Sequence, residues 1–178
     1  MKFIGSILMT IGLLSIVYAS LLTYQRTSPN RLSFAKPIAS TGQTSINTAK
    51  PNRLIIEELG VDIPITAGQI DGNKWPLSPT GAIYLSESAV PGEQGNAVIY
   101  GHNWKSILGE LHLIKPGNII EIINENGKVI VYRVTTIQVV EKTQSSVLNN
   151  SEDQRITLYT CTGFLDQKRL VVTALLAS

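Results

Sequence analysis

Residues 118–140 read NIIEIINENGKVIVYRVTTIQVV, and this stretch decides the fold class. Two runs rich in Ile, Val, Tyr and Thr flank Asn126-Gly127, a dipeptide that accepts the positive φ angles of a tight hairpin turn. Because β-branched and aromatic side chains favour extended backbone, the stretch predicts two strands joined in a hairpin at Asn126-Gly127.

Similar short runs recur on both sides of this hairpin, and Gly-, Pro- and Asn-containing turns separate them. They amount to seven or eight strands between residues 53 and 178, with little helical periodicity. We therefore predict an all-β domain, a closed or nearly closed β-barrel, with one short helix around Lys105–Leu113 and another after Ser145. The runs are RLIIEELGVDIPI, GAIYL, NAVIYG, NIIEIIN, KVIVYRVTTIQVV, RITLYT and RLVVTALLA.

The N-terminus carries an uncharged apolar run from Phe3 to Leu22. A bilayer is crossed by a helix of about 20 such residues, so residues 1–26 are predicted to form a single transmembrane anchor. A cleaved signal peptide is the alternative, because Lys2 gives a positive start and Ala19 and Ser20 are small. The apolar run is longer than a secretory core of about 7–15 residues, which favours an uncleaved anchor.

Residues 27–52 change in composition to Ser, Thr, Pro, Asn and Gln, with Leu32, Phe34 and Ile38 among the scattered apolar residues. Such a segment buries too little apolar surface to offset the entropy lost on ordering. We predict that residues 27–52 form a flexible tether and that residues 53–178 form the folded domain.

Composition and charge exclude some functions. The net charge is +2 and the Lys and Arg residues are scattered, so the chain lacks the basic stripe of a nucleic-acid-binding protein. It also lacks the spaced Cys and His residues of a metal site. The single cysteine, Cys161, is either a buried apolar residue or a reactive thiol, and a thiol exposed outside a cell more often has a chemical role.

Three residues at strand ends are candidates for catalysis. His102 follows the run NAVIYG, and Cys161 ends the run RITLYTC. A thiol and an imidazole held at such junctions can form a nucleophile and its proton partner. Arg169 opens the last strand, where a hairpin would return it beside Cys161 as an oxyanion-stabilising cation, and Lys168 is the rival for that role. His112 is interpreted as an ordinary surface histidine.

At these residues the sequence resembles the sortase family. Residues 157–161, TLYTC, match the family signature Thr-Leu-x-Thr-Cys around the nucleophile, and Arg169 is followed by a hydrophobic strand as in the family. Gly101-His102 resembles the glycine and histidine that follow a strand in sortases. The resemblance covers residues 53–177, with the histidine, cysteine and arginine in the family order.

The resemblance implies an eight-stranded barrel without a metal or nucleotide cofactor. It implies a cysteine transpeptidase with catalytic His102, Cys161 and Arg169. Such an enzyme cleaves a Leu-Pro-x-Thr-Gly-like sorting signal between Thr and Gly. An amine of a peptidoglycan precursor or a pilin lysine then resolves the thioacyl enzyme. It further implies a single-pass protein of a bacterial cell membrane with its catalytic domain outside the cell.

The substrate pocket is expected to involve Ala97, Thr160 and the loops near Trp75 and Trp104. Two features depart from some relatives. The second residue after the cysteine is Gly163, and the tether lacks the aromatic lid motif of pilin-polymerising sortases. The second departure favours protein anchoring or a general-purpose role, and no lettered class is assigned.

Two alternatives stay open at the level of sequence. A membrane-tethered cysteine peptidase would resolve the same thioacyl intermediate with water. A non-catalytic β-barrel surface module would explain the barrel and the anchor but not the ordered histidine, cysteine and arginine. An L,D-transpeptidase is disfavoured, because the His-Gly and Cys-Arg arrangement of that family is absent.

Overall fold

A computed structural model describes residues 2–26, 32, 49–71 and 75–177 of the chain. Within these ranges a single helix, α1, precedes eight strands. Helix α1 spans Lys2–Arg26. The strands are β1 Pro51–Ile56, β2 Val61–Gly68, β3 Ala82–Leu85, β4 Gly95–Tyr100, β5 Ile119–Asn124, β6 Val129–Glu141, β7 Gln154–Thr162 and β8 Lys168–Leu176.

The hairpin predicted at Asn126-Gly127 is confirmed. Strands β5 and β6 pair antiparallel, with Ile123 opposite Val129 next to the turn. Gly127 has a φ of +80°, a backbone conformation that side-chain-bearing residues rarely adopt. The Asn124 amide donates a 2.9 Å hydrogen bond to the Lys128 carbonyl and closes the turn.

The eight strands close into a barrel in the order β1-β2-β3-β4-β7-β8-β6-β5, and β5 pairs back to β1. The all-β, eight-stranded closed barrel expected from the sequence is thus confirmed. Two strand pairs, β2 with β3 and β4 with β7, are parallel, and the other neighbours are antiparallel. A parallel pair has the carboxyl ends of both strands at the same edge, which matters for β4 and β7 because His102 and Cys161 lie there.

The two short helices predicted from the sequence are 3₁₀ helices. One spans Gly109–Leu113, the second half of the stretch predicted as helical, and the other spans Ser145–Leu148. Two further 3₁₀ turns lie at Glu57–Leu59 and Phe164–Asp166. The last of these lies in the loop between β7 and β8.

Apolar side chains form two clusters on opposite faces of the barrel wall. The inner cluster receives residues from all eight strands and therefore fills the barrel. The outer cluster covers the outside of the wall around β4 and β7 and consists of Leu32, Trp75, Ile83, Leu85, Val98, Tyr100, Val140, Leu148, Tyr159, Cys161 and Val171. Because apolar groups cover β4 on both faces, every residue of this strand is buried.

A buried polar network holds β4 against β7. The Thr157 hydroxyl donates a 2.7 Å hydrogen bond to Asn96 Oδ1, and Asn96 Nδ2 donates to the Asn149 carbonyl at 3.0 Å. The Asn96 amide donates to Asn150 Oδ1 at 3.0 Å. Since an unpaired buried polar group is costly, this network disfavours any slip of β4 along β7.

Helix α1 has the length and composition of a membrane-spanning helix from Gly5 to Tyr24, criteria that a signal sequence near the N-terminus also meets. Most of the predicted tether, residues 27–31 and 33–48, lies outside the described residues. Leu32 is described, and it is only 1% exposed within the outer cluster. The folded domain begins with β1 at Pro51, close to the predicted boundary at Arg53.

We expect Thr157→Val to lower the free energy of unfolding by about 1–3 kcal/mol, because it removes the donor to Asn96 Oδ1 and leaves that oxygen buried. Chemical unfolding of the detergent-solubilised chain, followed by near-ultraviolet circular dichroism, measures the change. Thr136→Val, on an exposed position of β6, is the matched control and should stay within about 0.5 kcal/mol of the parent. Equal effects of the two substitutions would contradict a structural role of the network.

Candidate active site

His102 follows the end of β4 by two residues, and Cys161 lies near the matching end of β7, the parallel neighbour of β4. The register places Tyr100 opposite Tyr159. Pairing continues one residue past the end of β4, because the Gly101 amide donates to the Tyr159 carbonyl at 3.3 Å and the Thr160 hydroxyl donates to the Gly101 carbonyl at 2.8 Å. The next step of the same register, from Gly101 to His102, aligns the histidine with Cys161.

The antiparallel pairing of β7 with β8 places Arg169 directly opposite Cys161. Side chains at such positions have Cβ atoms about 4.5–5.5 Å apart. Arg169 is only 1% exposed, and its Nη1 donates to the carbonyls of Asp166 at 3.1 Å and of Lys168 at 2.9 Å. These bonds fix the plane of a buried guanidinium beside the thiol.

Lys168, the rival cation, lies in a different environment. Its side chain is 51% exposed, and its Nζ lies 3.3 Å from a carboxylate oxygen of Glu141 on β6. Arg169 is therefore the cation that the strand register places against Cys161, while Lys168 forms a surface ion pair.

An aromatic group packs next to the thiol on the outer face of the barrel. Cys161 lies two residues after Tyr159 on β7, so the two side chains point to the same face, and both belong to the outer cluster. The Tyr159 ring stacks on Tyr100 at 5.2 Å, and Trp75 meets both rings edge-on. Burial raises the pKa of Tyr159 well above its usual value, so this hydroxyl keeps its proton and does not act as a base at neutral pH.

His102 is held in a partly desolvated position. It is 8% exposed, and its ring stacks on Trp104 with centroids 4.3 Å apart and planes 6° from parallel. The Trp104 carbonyl accepts hydrogen bonds from the amides of Ile107 and Gly109, which fixes the stacking partner. Burial lowers the pKa of His102, and the negative charge of Asp166 partly opposes this effect.

The other predicted site residues lie at varying distances from this centre. Thr160 is buried, and its hydroxyl donates a hydrogen bond to the Gly101 carbonyl, which holds the histidine loop to strand β7. Ala97 alternates with Val98 of the outer cluster and therefore points to the other face of β4, away from Cys161.

One of the two tryptophans predicted near the pocket contacts a candidate residue, and the other belongs to the outer cluster that contains Cys161. Trp75 packs edge-on against Tyr159, and Trp104 stacks on His102. His112 bonds the Gly109 carbonyl at an exposed position, which agrees with its interpretation as a surface histidine.

Sequence reasoning missed two residues at this centre. Asp166 and Asn103 join the two loops that carry the candidate residues, through a 2.9 Å hydrogen bond from Asn103 Nδ2 to Asp166 Oδ1. Leu32 packs in the same outer cluster as Cys161. The available signal was position, because Asn103 directly follows His102 and Asp166 lies in the short loop between Cys161 and Arg169.

A metal centre finds no support among the residues that the structure describes, where no three His, Cys, Asp or Glu side chains form a group that could hold an ion. The site consists of a thiol, an imidazole and a guanidinium on one wall of the barrel. This combination has the chemistry of acyl transfer through a thioester.

Comparison with known proteins agrees with this chemistry. The family model described as Sortase domain matches residues 54–177. The chain belongs to the sortase family. Sortases are cysteine transpeptidases that act at the bacterial cell surface, and Cys161 is the single cysteine of this sortase. No curated protein matches the chain at the level of sequence.

Solved sortase structures share the fold of this chain. Sortase A from Listeria monocytogenes is 26% identical with a TM-score of 0.61, over 74% of this chain and 89% of that one. A lid mutant of sortase A from Corynebacterium diphtheriae is 25% identical with a TM-score of 0.64, over 92% and 95%. Sortase C1 from Streptococcus suis, at 23% identity and a TM-score of 0.62 over 73% and 74%, shows the likeness of fold alone.

The lowered pKa of His102 predicts a pH dependence of stability. The unfolded chain binds a proton near the ordinary histidine pKa of about 6.5, whereas the folded chain resists protonation to a lower pH. Neutral His102 therefore contributes its full stabilisation above about pH 6.5, and this contribution is lost as the pH falls from there towards the lower pKa of the folded chain. Thermal unfolding between pH 7.5 and 5 should show a steeper fall in Tm for the parent than for His102→Gln, which cannot be protonated. His112→Gln is the control for the exposed histidine and should follow the parent, and parallel curves for parent and His102→Gln would contradict the prediction.

Proposed function

We propose that this sortase is a membrane-anchored transpeptidase that cleaves a Leu-Pro-x-Thr-Gly-like sorting signal and transfers the protein to an amine. Cys161 is the nucleophile, His102 the proton carrier and Arg169 the oxyanion-stabilising cation. The observation that supports these roles is the strand register. It pairs Arg169 with Cys161 directly, and its continuation past the Tyr100–Tyr159 pair leads to His102 beside Cys161.

In the first half-reaction the Cys161 sulfur attacks the carbonyl carbon of the Thr–Gly bond. The carbonyl oxygen becomes an oxyanion, and the Arg169 guanidinium, fixed by its bonds to two main-chain carbonyls, stabilises it. Collapse of the tetrahedral intermediate breaks the C–N bond and leaves a thioester between Cys161 and the Thr residue. Because Arg169 is buried, its charge acts through a medium of lower dielectric constant than water.

His102 moves the protons of both half-reactions. It takes the thiol proton and gives it to the departing Gly amine. It later takes a proton from the incoming amine as that amine attacks the thioester, and it returns this proton to the Cys161 sulfur when the C–S bond breaks. Burial lowers the pKa of His102, so its imidazolium is a stronger acid than an exposed one and transfers its proton readily to the leaving amine. The stack on Trp104 holds the ring in one orientation during these steps.

The N-terminal helix supports a role at the cell surface. Helix α1 would hold the enzyme in the bacterial membrane, with the barrel outside the cell, next to secreted proteins that carry C-terminal sorting signals. The acceptor would be an amine of a peptidoglycan precursor or a pilin lysine. No step of the proposed mechanism calls for a cofactor.

The test is mass spectrometry of the detergent-solubilised full chain with a library of Leu-Pro-x-Thr-Gly peptides, with and without triglycine as acceptor. We expect cleavage between Thr and Gly, a Thr–triglycine product, and a thioacyl adduct that Cys161→Ala abolishes. Hydrolysis without transfer would favour the peptidase. Absence of an adduct under every condition would favour a non-catalytic surface module.

A matched pair of substitutions tests the cation. Arg169→Lys keeps the charge but loses the planar fork that the two carbonyls hold, and we expect kcat/KM to fall by about 10²–10³-fold. Lys168→Arg changes the exposed neighbour in the opposite direction and should leave kcat/KM within a factor of about two. Loss of activity in Lys168→Arg with full activity in Arg169→Lys would reverse the assignment.

A further inference from the structure

We infer that Asp166 is a positioning residue that ties the histidine loop to the oxyanion cation and brings a negative charge to the proton carrier. This inference rests on the proposed function, because it assigns a task to Asp166 in the same site. It is supported by the hydrogen bonds of Asp166 with the histidine loop and with Arg169, by the backbone conformation of Asp166 and by its charge.

The side chain of Asp166 binds the histidine loop. Its Oδ1 accepts a 2.9 Å hydrogen bond from Asn103 Nδ2, across 63 residues of sequence. Asn103 directly follows His102, so this bond ties the backbone that carries the imidazole to the loop between β7 and β8. The loop between β7 and β8 is in turn anchored by Cys161 at its start and Arg169 at its end.

The main chain of Asp166 binds the cation. Its carbonyl accepts a 3.1 Å hydrogen bond from Arg169 Nη1. One residue therefore holds the histidine loop with its carboxylate and the guanidinium with its carbonyl. A displacement of Asp166 would move both groups relative to Cys161.

The backbone of this loop is held in an uncommon conformation. Leu165 and Asp166 have φ angles of +52° and +59°, and among the described residues they are the two other than glycine that lie in the left-handed region. Such a conformation is unfavourable for residues with a side chain and persists where surrounding contacts determine it, frequently at functional sites. The left-handed conformation at Asp166 accompanies the arrangement in which its carboxylate meets Asn103 and its carbonyl meets Arg169.

The charge of Asp166 acts on the proton carrier. Burial disfavours a charged imidazole, and the Asp166 carboxylate opposes this by raising the pKa of His102. The other charged groups on the neighbouring loops have different surroundings. Lys168 pairs with Glu141, Lys105 is exposed to solvent, and Arg169 lies opposite Cys161. Removal of the Asp166 charge should therefore reduce the fraction of imidazolium, the form that protonates the leaving amine.

Asp166→Asn separates this role from simple bracing of the loop. Asparagine tolerates the left-handed conformation, keeps an oxygen for Asn103 and keeps the carbonyl for Arg169, but it has no charge. Glu141→Gln is the matched control, since it removes another carboxylate, one that pairs with Lys168 at the end of the same loop. Circular dichroism verifies that each variant is folded.

The first readout is the titration of the two histidines by NMR in the detergent-solubilised full chain, with His112 as internal reference. We expect Asp166→Asn to move the His102 midpoint down by about half a pH unit and to leave His112 unchanged. The Glu141→Gln control should leave both midpoints unchanged. An unchanged His102 midpoint in Asp166→Asn would overturn the inference.

The second readout is the pH profile of kcat/KM for peptide transfer. The limb governed by His102 should shift to lower pH in Asp166→Asn, and above that limb the imidazolium fraction should fall about threefold for half a pH unit. Asp166→Ala, which also loses the bond to Asn103, should lose more activity. A parent-like profile in Asp166→Asn would mean that Asp166 only holds the loop in place, and it would overturn the inference.

Failure of the parent chain itself to form a thioacyl adduct would contradict the proposed function. The NMR titration would still decide whether Asp166 sets the pKa of His102.

Discussion

The parallel pairing of β4 with β7 is the constraint on which the rest of the site depends. These strands are distant in sequence, and their common direction puts the residues after Tyr100 and after Tyr159 at the same edge of the barrel. The buried bond from Thr157 to Asn96 sets their register far from that edge, and the bond from Thr160 to Gly101 maintains it at the edge. A slip by one residue would reverse the faces of one strand and separate the imidazole from the thiol.

Burial of the site has opposing consequences for its chemistry. In the proposed mechanism, the aromatic cluster of Trp75, Tyr100 and Tyr159 would exclude water around the thiol and so strengthen the interaction of Arg169 with the oxyanion. The same exclusion of water disfavours a positive charge on His102, although the proposed mechanism requires the imidazolium transiently. An arginine suits such a place, because its guanidinium keeps its proton when buried and offers several donors, whereas a buried lysine loses its charge more readily.

The sequence predicted the barrel well because its signals were local. The dipeptide Asn126-Gly127 and the alternating runs beside it specify a hairpin independently of the rest of the chain. The candidate residues His102, Cys161 and Arg169 were identifiable because each adjoins such a run and because the TLYTC motif resembles a sortase. Asp166 and Asn103 were not, since a polar residue in a loop has no periodicity, and their bond depends on the parallel pairing of strands far apart in sequence. Both short helices were placed correctly, but the first was predicted four residues too long, because 3₁₀ turns leave little periodic signal.

The short loop between β7 and β8 fixes the position of Arg169 relative to Cys161. The loop between β7 and β8 has only five residues between Thr162 and Lys168, and Gly163 at its start has a φ of +78°. A loop of this length holds Arg169 close to Cys161, because the two strands pair immediately on either side of it.

His102 has no such short connection to Cys161 through the chain. Its position relative to the thiol depends on non-covalent links, namely the pairing of β4 with β7 and the bond from Asn103 to Asp166 in the loop between β7 and β8. This asymmetry makes the histidine loop the region of the site whose geometry is most sensitive to single substitutions.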